Sequence, residues 1–214
     1  LFRSPDEALP RRIRSERIDI LVDLAGHPAK NRLLVLARKP APVQVTWAGY
    51  VGSTGLAAMD YLIADGRHVP EGAEGHYSER VIRLPDGYTC YRPPDPAPPA
   101  GPPPFERNGF ISFGCFQNPA KINVDVLAAW AEILKEVPKS RLLLKYRNID
   151  AEGNCNRILD QFGTHGVEGS RLTLEGESPH RALLARYNDV DIALDTFPYS
   201  GGLTTCEALW MGVP

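Results

Sequence analysis

The chain has almost no excess charge of either sign. Twenty-four lysines and arginines stand against 26 aspartates and glutamates in 214 residues. No overall field draws such a protein to nucleic acid or to an anionic membrane, so any anion site has to be built locally. Long apolar runs are also missing. Stretches such as 20–24 and 142–144 fall far short of the roughly 20 residues of a spanning helix, which argues against a membrane protein. Cys90, Cys115, Cys155 and Cys206 include no C-x-x-C pair. Neither a structural zinc site nor a disulfide framework is expected, and reduced thiols in the cytoplasm are. No basic segment followed by a short apolar core opens the chain, so no secretory signal is read. The missing start methionine and the Val213-Pro214 end read as a fragment. No internal repeat of about 20 to 50 residues is found, so this stretch is not a solenoid.

What is present describes an ordinary globular protein with more than one folding unit. Hydrophobic residues make up 43% and charged residues 23%, which places the chain away from disorder. Its length exceeds the roughly 100 to 150 residues of a typical domain. Residues 91–105, YRPPDPAPPAGPPPF, are too rich in proline for a helix or a central strand. We read 92–105 as a semi-rigid linker between a first unit, 1–91, and a second unit, 106–214.

In the first unit, apolar and β-branched runs at 18–24, 43–47, 61–64 and 81–84 predict strands, with a short helix over 31–39 stopped by Pro40 and Pro42. In the second, strands are expected at 110–115, 142–146, 172–174 and 191–195, and helices at 124–137, 154–162, 179–187 and 204–211. Regular alternation of this kind predicts right-handed βαβ units and a parallel sheet. Val126, Leu127, Trp130, Ile133, Leu134 and Val137 fall on one helical face and are expected in the core.

Ligands of open parallel sheets bind beyond the carboxyl ends of the strands. Three loops of the second unit fall there: 115–123 (CFQNPAKIN), 175–180 (EGESPH) and 196–205 (TFPYSGGLTT). In the last, Gly201-Gly202 permits close backbone approach and Thr204-Thr205 open a helix whose dipole and N–H groups suit a phosphate. The same residues make equally good sense as a glycine turn with a threonine cap. Glu207, read in the first turn of that helix, is either a dipole complement or an acceptor for ribose hydroxyls. Lys121 is placed to neutralise a diphosphate, with Asn118 and Gln117 beside it as hydrogen-bonding partners. His180, after Ser178-Pro179 at a helix start, is expected as a neutral donor. Arg186, about two turns on, faces the same pocket or pairs with a carboxylate. In the first unit His27 follows its strand directly and is a candidate for acceptor positioning or proton transfer. The backbone of Gly49, Tyr50 and Val51, in a glycine-rich loop without G-x-G-x-x-G spacing, is a candidate sugar contact. His68, His76 and His165 have no partners at metal-ligand spacing, so no metal is expected.

Four stretches of the chain, IDILVDLAGHPAKNR, PAPVQVTWAGYVGSTGLAAMDYLIAD, SFGCFQNPAKIN and YNDVDIALDTFPYSGGLTTCEALWMGVP, resemble successive motifs of the O-linked N-acetylglucosamine transferase and SPINDLY glycosyltransferases. The resemblance extends over nearly the whole chain. It implies the GT-B fold, two Rossmann-like α/β domains, both incomplete here. It also implies an inverting, metal-independent transfer from a UDP- or GDP-linked sugar to Ser or Thr of proteins, with no cofactor. Lys121 matches the family lysine at the donor diphosphate, Asn118 an amide that contacts the donor, and Thr204 and Thr205 the paired threonines at the phosphates. His180 stands where the animal transferase has lysine, Leu203 where it has histidine, and Glu207-Ala208 where it has Met-Asp. These departures point to the bacterial and SPINDLY-like branch and leave N-acetylglucosamine and fucose both open as the sugar. Family members carry a further Rossmann segment and usually tetratricopeptide repeats ahead of this region. A non-catalytic nucleotide-sugar or scaffold module, and a GT-B enzyme acting on a glycan or lipid, are the competing readings.

Overall fold

The computed structural model describes residues 6–95 and 97–214; residues 1–5 of the expected first unit and Pro96 of the expected linker lie outside the described residues. The chain divides into two compact units, Leu1–Cys90 and Tyr91–Pro214.

The first unit is built on a four-stranded sheet of β1 (Ile20–Asp23), β2 (Val43–Thr46), β3 (Tyr61–Asp65) and β4 (Arg80–Leu84) in that order. All three pairings are parallel, so each connection has to cross over a face of the sheet. Helix α1 (Leu9–Ser15), which the sequence pattern did not announce, precedes β1, and α2 (Leu33–Leu36) links β1 to β2. Only Leu9, Pro10 and Ile13 of α1 are buried, too few to print a helical stripe among its arginines. The helix expected over 31–39 shrinks to four residues because Pro40 disfavours a helical Lys39, which takes φ 46° instead. The carbonyl of Arg38 released there accepts from the Arg14 guanidinium at 2.6 Å. Ile20 and Val22 of β1, and Leu24 beyond it, point to a face that no layer covers among the described residues, and remain exposed.

In the second unit, β5 (Ser112–Cys115), β6 (Arg141–Lys145), β7 (Leu172–Glu175) and β8 (Ile192–Ala193) form a parallel sheet in the order β7-β6-β5-β8. The chain therefore lays its second and third strands to one side of β5 and its fourth to the other. Helices α3 (Phe105–Asn108), α4 (Val124–Glu136), α5 (Glu152–Thr164), α6 (His180–Arg186) and α7 (Leu203–Trp210) surround it. The leucines of β6 show why both faces need cover. Leu142 and Leu144 join a cluster with Leu127, Trp130, Leu134, Ile158 and Phe162, whereas Leu143 joins Phe116, Leu184, Tyr187 and Met211 on the opposite face. Of the expected α4 stripe, Val126, Leu127, Trp130 and Leu134 are buried and Ile133 and Val137 pack at its margin. The proline-rich stretch lies along this unit: Asn188 Nδ2 donates to the Pro99 carbonyl (3.1 Å), Gly101 N–H to Asn188 Oδ1 (2.7 Å) and Phe105 N–H to Asp191 Oδ1 (2.9 Å). Prolines lack a donor but keep their carbonyls, so such a chain can still be fastened. Among the described residues no helix is long and apolar enough to cross a membrane.

One guanidinium closes the end of α4. Arg171 donates to the carbonyls of Leu134 (2.7 Å), Val137 (3.1 Å) and Ser140 (2.8 Å) and to Ser140 Oγ (2.8 Å), satisfying groups that the helix end leaves open. Replacing Arg171 by Met should cost about 2–3 kcal/mol in urea unfolding, the scale of charge-assisted bonds lost over buried carbonyls. A native-like midpoint would show that the clamp contributes nothing.

Candidate active site

The reversal of strand order at β5 leaves a crevice between the carboxyl ends of β5 and β8, where sheets of this kind bind ligands. Two of the three expected loops leave those two ends. The first, after β5, carries Gln117, Asn118 and Lys121. Asn118 is spent on its own turn, its side chain accepting from Ala120 N–H at 3.0 Å. Asn123 caps α4 by accepting from Val126 N–H (2.9 Å) and also donates to the Phe197 carbonyl (2.9 Å), which ties the two loops together.

Lys121 sits where they meet. Its Nζ donates to the Ser200 carbonyl at 2.9 Å and to Gln117 Oε1 at 3.3 Å, and lies 4.5 Å from the centre of the Tyr199 ring. Burial pulls its pKa below the ordinary lysine value, opposed by the negative charge of Asp195 and by Cys115. Cys115 itself is pushed up to about 12, chiefly by burial, and is a packed thiol rather than a nucleophile.

The second loop turns on Asp195, a residue that the sequence reading took only as the end of a strand. Its Oδ1 accepts from Thr196 N–H (2.7 Å), Gly201 N–H (2.7 Å) and Gln117 Nε2 (3.2 Å). Gly201 is pressed so close that a Cβ there would overlap Gln117 Nε2 and Thr205 Oγ1, while Gly202 looks into open space. The close approach allowed by the glycine pair is thus made at Gly201, to protein atoms. Gly202 precedes α7 without any side-chain cap, so the N–H groups of its first turn, which includes Thr204 and Thr205, have no intrahelical partner. Beneath them a cavity of about 70 Å³ is lined by Phe116, Gln117, Tyr187, Asp195, Thr204 and Thr205 among others. It is far smaller than the roughly 300 Å³ at the low end of small-molecule sites, so only part of a ligand fits inside and the rest must follow the open rim.

Glu207 corrects the expectation. Because α7 starts at Leu203, this carboxylate lies beyond the first turn and cannot act as a dipole complement. It is buried, with 2% exposure, and His180 Nε2 lies 2.7 Å from its Oε1, a distance at which the imidazole N–H donates. The two residues, on α6 and α7, thus form one polar pair. Arg186 follows the ion-pair alternative: it donates to Glu175 (2.7 Å) and Asp189 (2.6 Å). Among the described residues, Ser178 Oγ is buried without a hydrogen-bond partner. Tyr187, missed in the sequence, stacks on Phe116 with centroids 3.9 Å apart and donates to the Thr204 carbonyl at 3.0 Å.

A separate cluster forms in the first unit at the ends of β1 and β2. Asp23 accepts from the N–H groups of Ala25 (3.2 Å) and Gly26 (2.8 Å), making the turn that carries His27. His27 Nε2 is 3.2 Å from the Ser53 carbonyl, and its ring meets Tyr50 edge-on at 5.1 Å. Gly49 packs against the Leu24 carbonyl with no room for a side chain. His68 is bonded to the Val51 carbonyl and stacks at a tilt on Tyr88. The buried carboxylate of Glu79 accepts from the Thr54 hydroxyl, from Thr54 N–H (2.7 Å) and from Ser53 Oγ (2.8 Å). Burial raises its pKa, but those bonds together outweigh it and hold the group below the ordinary glutamate value. His27, Gly49, Tyr50 and Val51 are therefore brought together, by residues that no motif marked.

Two outcomes follow. Gly201→Ala should lower the unfolding free energy by about 1–3 kcal/mol, the scale of overpacking, since a Cβ there overlaps Gln117 and Thr205, and urea unfolding would detect it. Glu79, with a depressed folded pKa, stabilises above its unfolded pKa of about 4.3 and loses that contribution as pH falls through the folded value. The thermal midpoint of Glu79→Gln should lie below wild type at neutral pH, with the gap closing as pH falls below the unfolded value; equal midpoints at neutral pH would contradict this.

Comparison with known proteins agrees with the geometry. The model of glycosyl transferase family 41 matches residues 6–91 and 107–214. A relative in Arabidopsis thaliana named "Probable UDP-N-acetylglucosamine--peptide N-acetylglucosaminyltransferase SPINDLY" is 43% identical over 218 residues, covering 100% of this chain and 24% of its own length. The Arabidopsis protein of the same name ending in SEC is 30% identical, covering 97% of this chain and 22% of its own. Among solved structures, a Lys-to-Met mutant of the Thermobaculum terrenum O-GlcNAc transferase superposes with a TM-score of 0.93 at 43% identity, over 100% of this chain and 40% of that one. The chain thus spans about a quarter of the length of these curated relatives. Both units have the parallel α/β architecture of GT-B glycosyltransferases. The chain belongs to glycosyl transferase family 41.

Proposed function

We propose that this chain holds the donor site, and part of the acceptor side, of a glycosyltransferase that moves a sugar from a nucleoside diphosphate to Ser or Thr hydroxyls of proteins. The observation that carries the reading is the meeting, at one sheet crevice, of the Lys121 ammonium with the uncapped start of α7 and its Thr204 and Thr205. A departing diphosphate needs such a set: a fixed cation, oriented N–H groups and hydroxyls where negative charge develops.

In a single displacement the hydroxyl oxygen bonds to the anomeric carbon, gives up its proton to a base for which His27 is the candidate, and that carbon's bond to the phosphate oxygen breaks. The electron pair leaves on the diphosphate and the configuration inverts. Lys121 and the α7 N-terminus stabilise that charge, and the proposal routes no step through a metal ion. Gln117, Asn118 and Gly202 line the same rim, with Ser178 close in sequence to His180. The His180–Glu207 pair, a buried carboxylate with a half-exposed imidazole, suits the ribose hydroxyls. Arg186, the last residue of α6, is held by two carboxylates, which ties the end of that helix to Glu175 of β7. Resemblance to the family assigns His27 and the backbone of Gly49, Tyr50 and Val51 to the sugar and acceptor side. The names of the relatives favour a UDP-linked N-acetylglucosamine donor and a peptide acceptor; tetratricopeptide repeats elsewhere in a longer protein, which the family resemblance implies, would gather that acceptor.

In the full-length protein, Lys121→Ala should lower kcat for sugar transfer by about a hundredfold or more, the scale of losing one main electrostatic stabiliser, with the thermal midpoint little changed. Wild-type transfer by that variant would end the reading. A thermal-shift panel of UDP- and GDP-linked sugars names the donor, because a ligand of the folded state alone raises the midpoint.

A further inference from the structure

We propose that Asp195 is the positioning residue of Lys121: from the end of β8 it fixes, through one carboxylate oxygen, both the turn and the amide that hold the ammonium, and supplies its counter-charge. The inference rests on the donor-site reading of Lys121. Three observations carry it. Asp195 Oδ1 accepts from Gly201 N–H at 2.7 Å, and the adjoining Ser200 carbonyl accepts from Lys121 Nζ at 2.9 Å. The same oxygen accepts from Gln117 Nε2 at 3.2 Å, which turns Gln117 Oε1 toward Lys121 Nζ at 3.3 Å. Gly201 is packed between Gln117 and Thr205 with no room for a Cβ, so moving the carboxylate displaces the turn and the amide together.

A carboxylate beside an anion site is costly in itself, since it repels the ligand. Its presence is accounted for if it orients the cation and keeps it charged in a partly dry setting. The groups that face Lys121 are Asp195 from just beyond β8, Cys115 from β5, the Tyr199 ring and Ser200 carbonyl from the same loop as Asp195, and the neutral Gln117 amide. Cys115 is a protonated thiol at neutral pH, so the anionic partner is Asp195. Burial acts on Lys121 to favour the neutral amine and Asp195 acts to favour the ammonium. Removing the charge therefore moves loss of the ammonium to lower pH.

The test uses Asp195→Asn in the full-length protein. Asparagine keeps an oxygen for the N–H groups of Thr196 and Gly201 and removes the charge, with an amide NH2 in place of the second carboxylate oxygen. Affinity for UDP and for GDP is measured by titration calorimetry between about pH 7 and about pH 9.5, and the ratio of affinity at about pH 7 to that at about pH 9 should rise at least threefold over wild type. A loss of structure alone would weaken binding equally at every pH. In the double variant Asp195→Asn with Gln117→Glu, a carboxylate is restored beside Nζ and the wild-type ratio should return. Parallel pH profiles for wild type and Asp195→Asn overturn the proposal. If Asp195→Asn does not fold, Gln117→Glu alone should hold affinity to higher pH than wild type, and no change overturns it. Lys121→Ala separates the two levels. Unaltered affinity there, together with unaltered transfer, removes the donor-site reading, whereas weakened affinity with parallel profiles for Asp195→Asn removes this inference alone.

Discussion

The placement of β8 on the free side of β5 is the constraint from which the second unit's chemistry follows. With the order β7-β6-β5-β8, the loops after β5 and β8 are neighbours in space although nearly 80 residues separate Gln117 from Asp195. Had the strands followed chain order, as they do in the first unit, β8 would lie beyond β7, two strands removed from the Lys121 loop. The crevice is thus produced by topology, and side chains only furnish it. What keeps it open is the pair of layers behind it. The Leu142/Leu144 cluster and the Leu143 cluster hold the sheet from both faces, and Tyr187 joins the second to the site by packing on Phe116 and bonding Thr204.

A protein with no net field has to concentrate charge to bind an anion, and the proposed donor site would do so with the Lys121 ammonium and the start of α7. The cost shows at Lys121, whose pKa burial lowers and whose ammonium the negative charge of Asp195 favours. The carbonyl of Ser200, the amide of Gln117 and the face of Tyr199 all solvate the ammonium in place of water. Such fixed solvation would need no reorganisation if a diphosphate arrives or leaves there as proposed, which is the property that electrostatic catalysis requires.

Much of this was legible in the sequence, for identifiable reasons. The strands carry β-branched or leucine runs bounded by Gly, Pro and Asp, and α4 carries a full apolar stripe, so each announced itself locally. The strand-end rule then picked out Lys121, Thr204 and Thr205 without coordinates. What was hidden depends on non-local pairing. Strand 191–195 contracts to Ile192–Ala193 because Asp195 turns away to gather three donors, a choice that no window of sequence displays. Glu207 looked like a first-turn residue until α7 was seen to begin at Leu203. Arg171 and Glu79 belong to no motif that singles them out, yet each is surrounded by partners from distant segments.

The glycine-rich loop of the first unit shows how composition can mislead about motion. Five residues of 49–55 are glycine, serine or threonine other than Tyr50 and Val51, which suggests a mobile flap. Instead its backbone and hydroxyls are taken up from three directions: Glu79 accepts from Ser53 and Thr54, His68 holds the Val51 carbonyl and His27 the Ser53 carbonyl. Gly49 is there because the Leu24 carbonyl occupies the place of a side chain. A loop fastened in this way loses little entropy when it meets a ligand, because the ordering was completed on folding. The buried carboxylate of Glu79 is then best understood through His27: by fixing Ser53 it also fixes the carbonyl against which the His27 ring is set, so the loop and the histidine present one rigid surface.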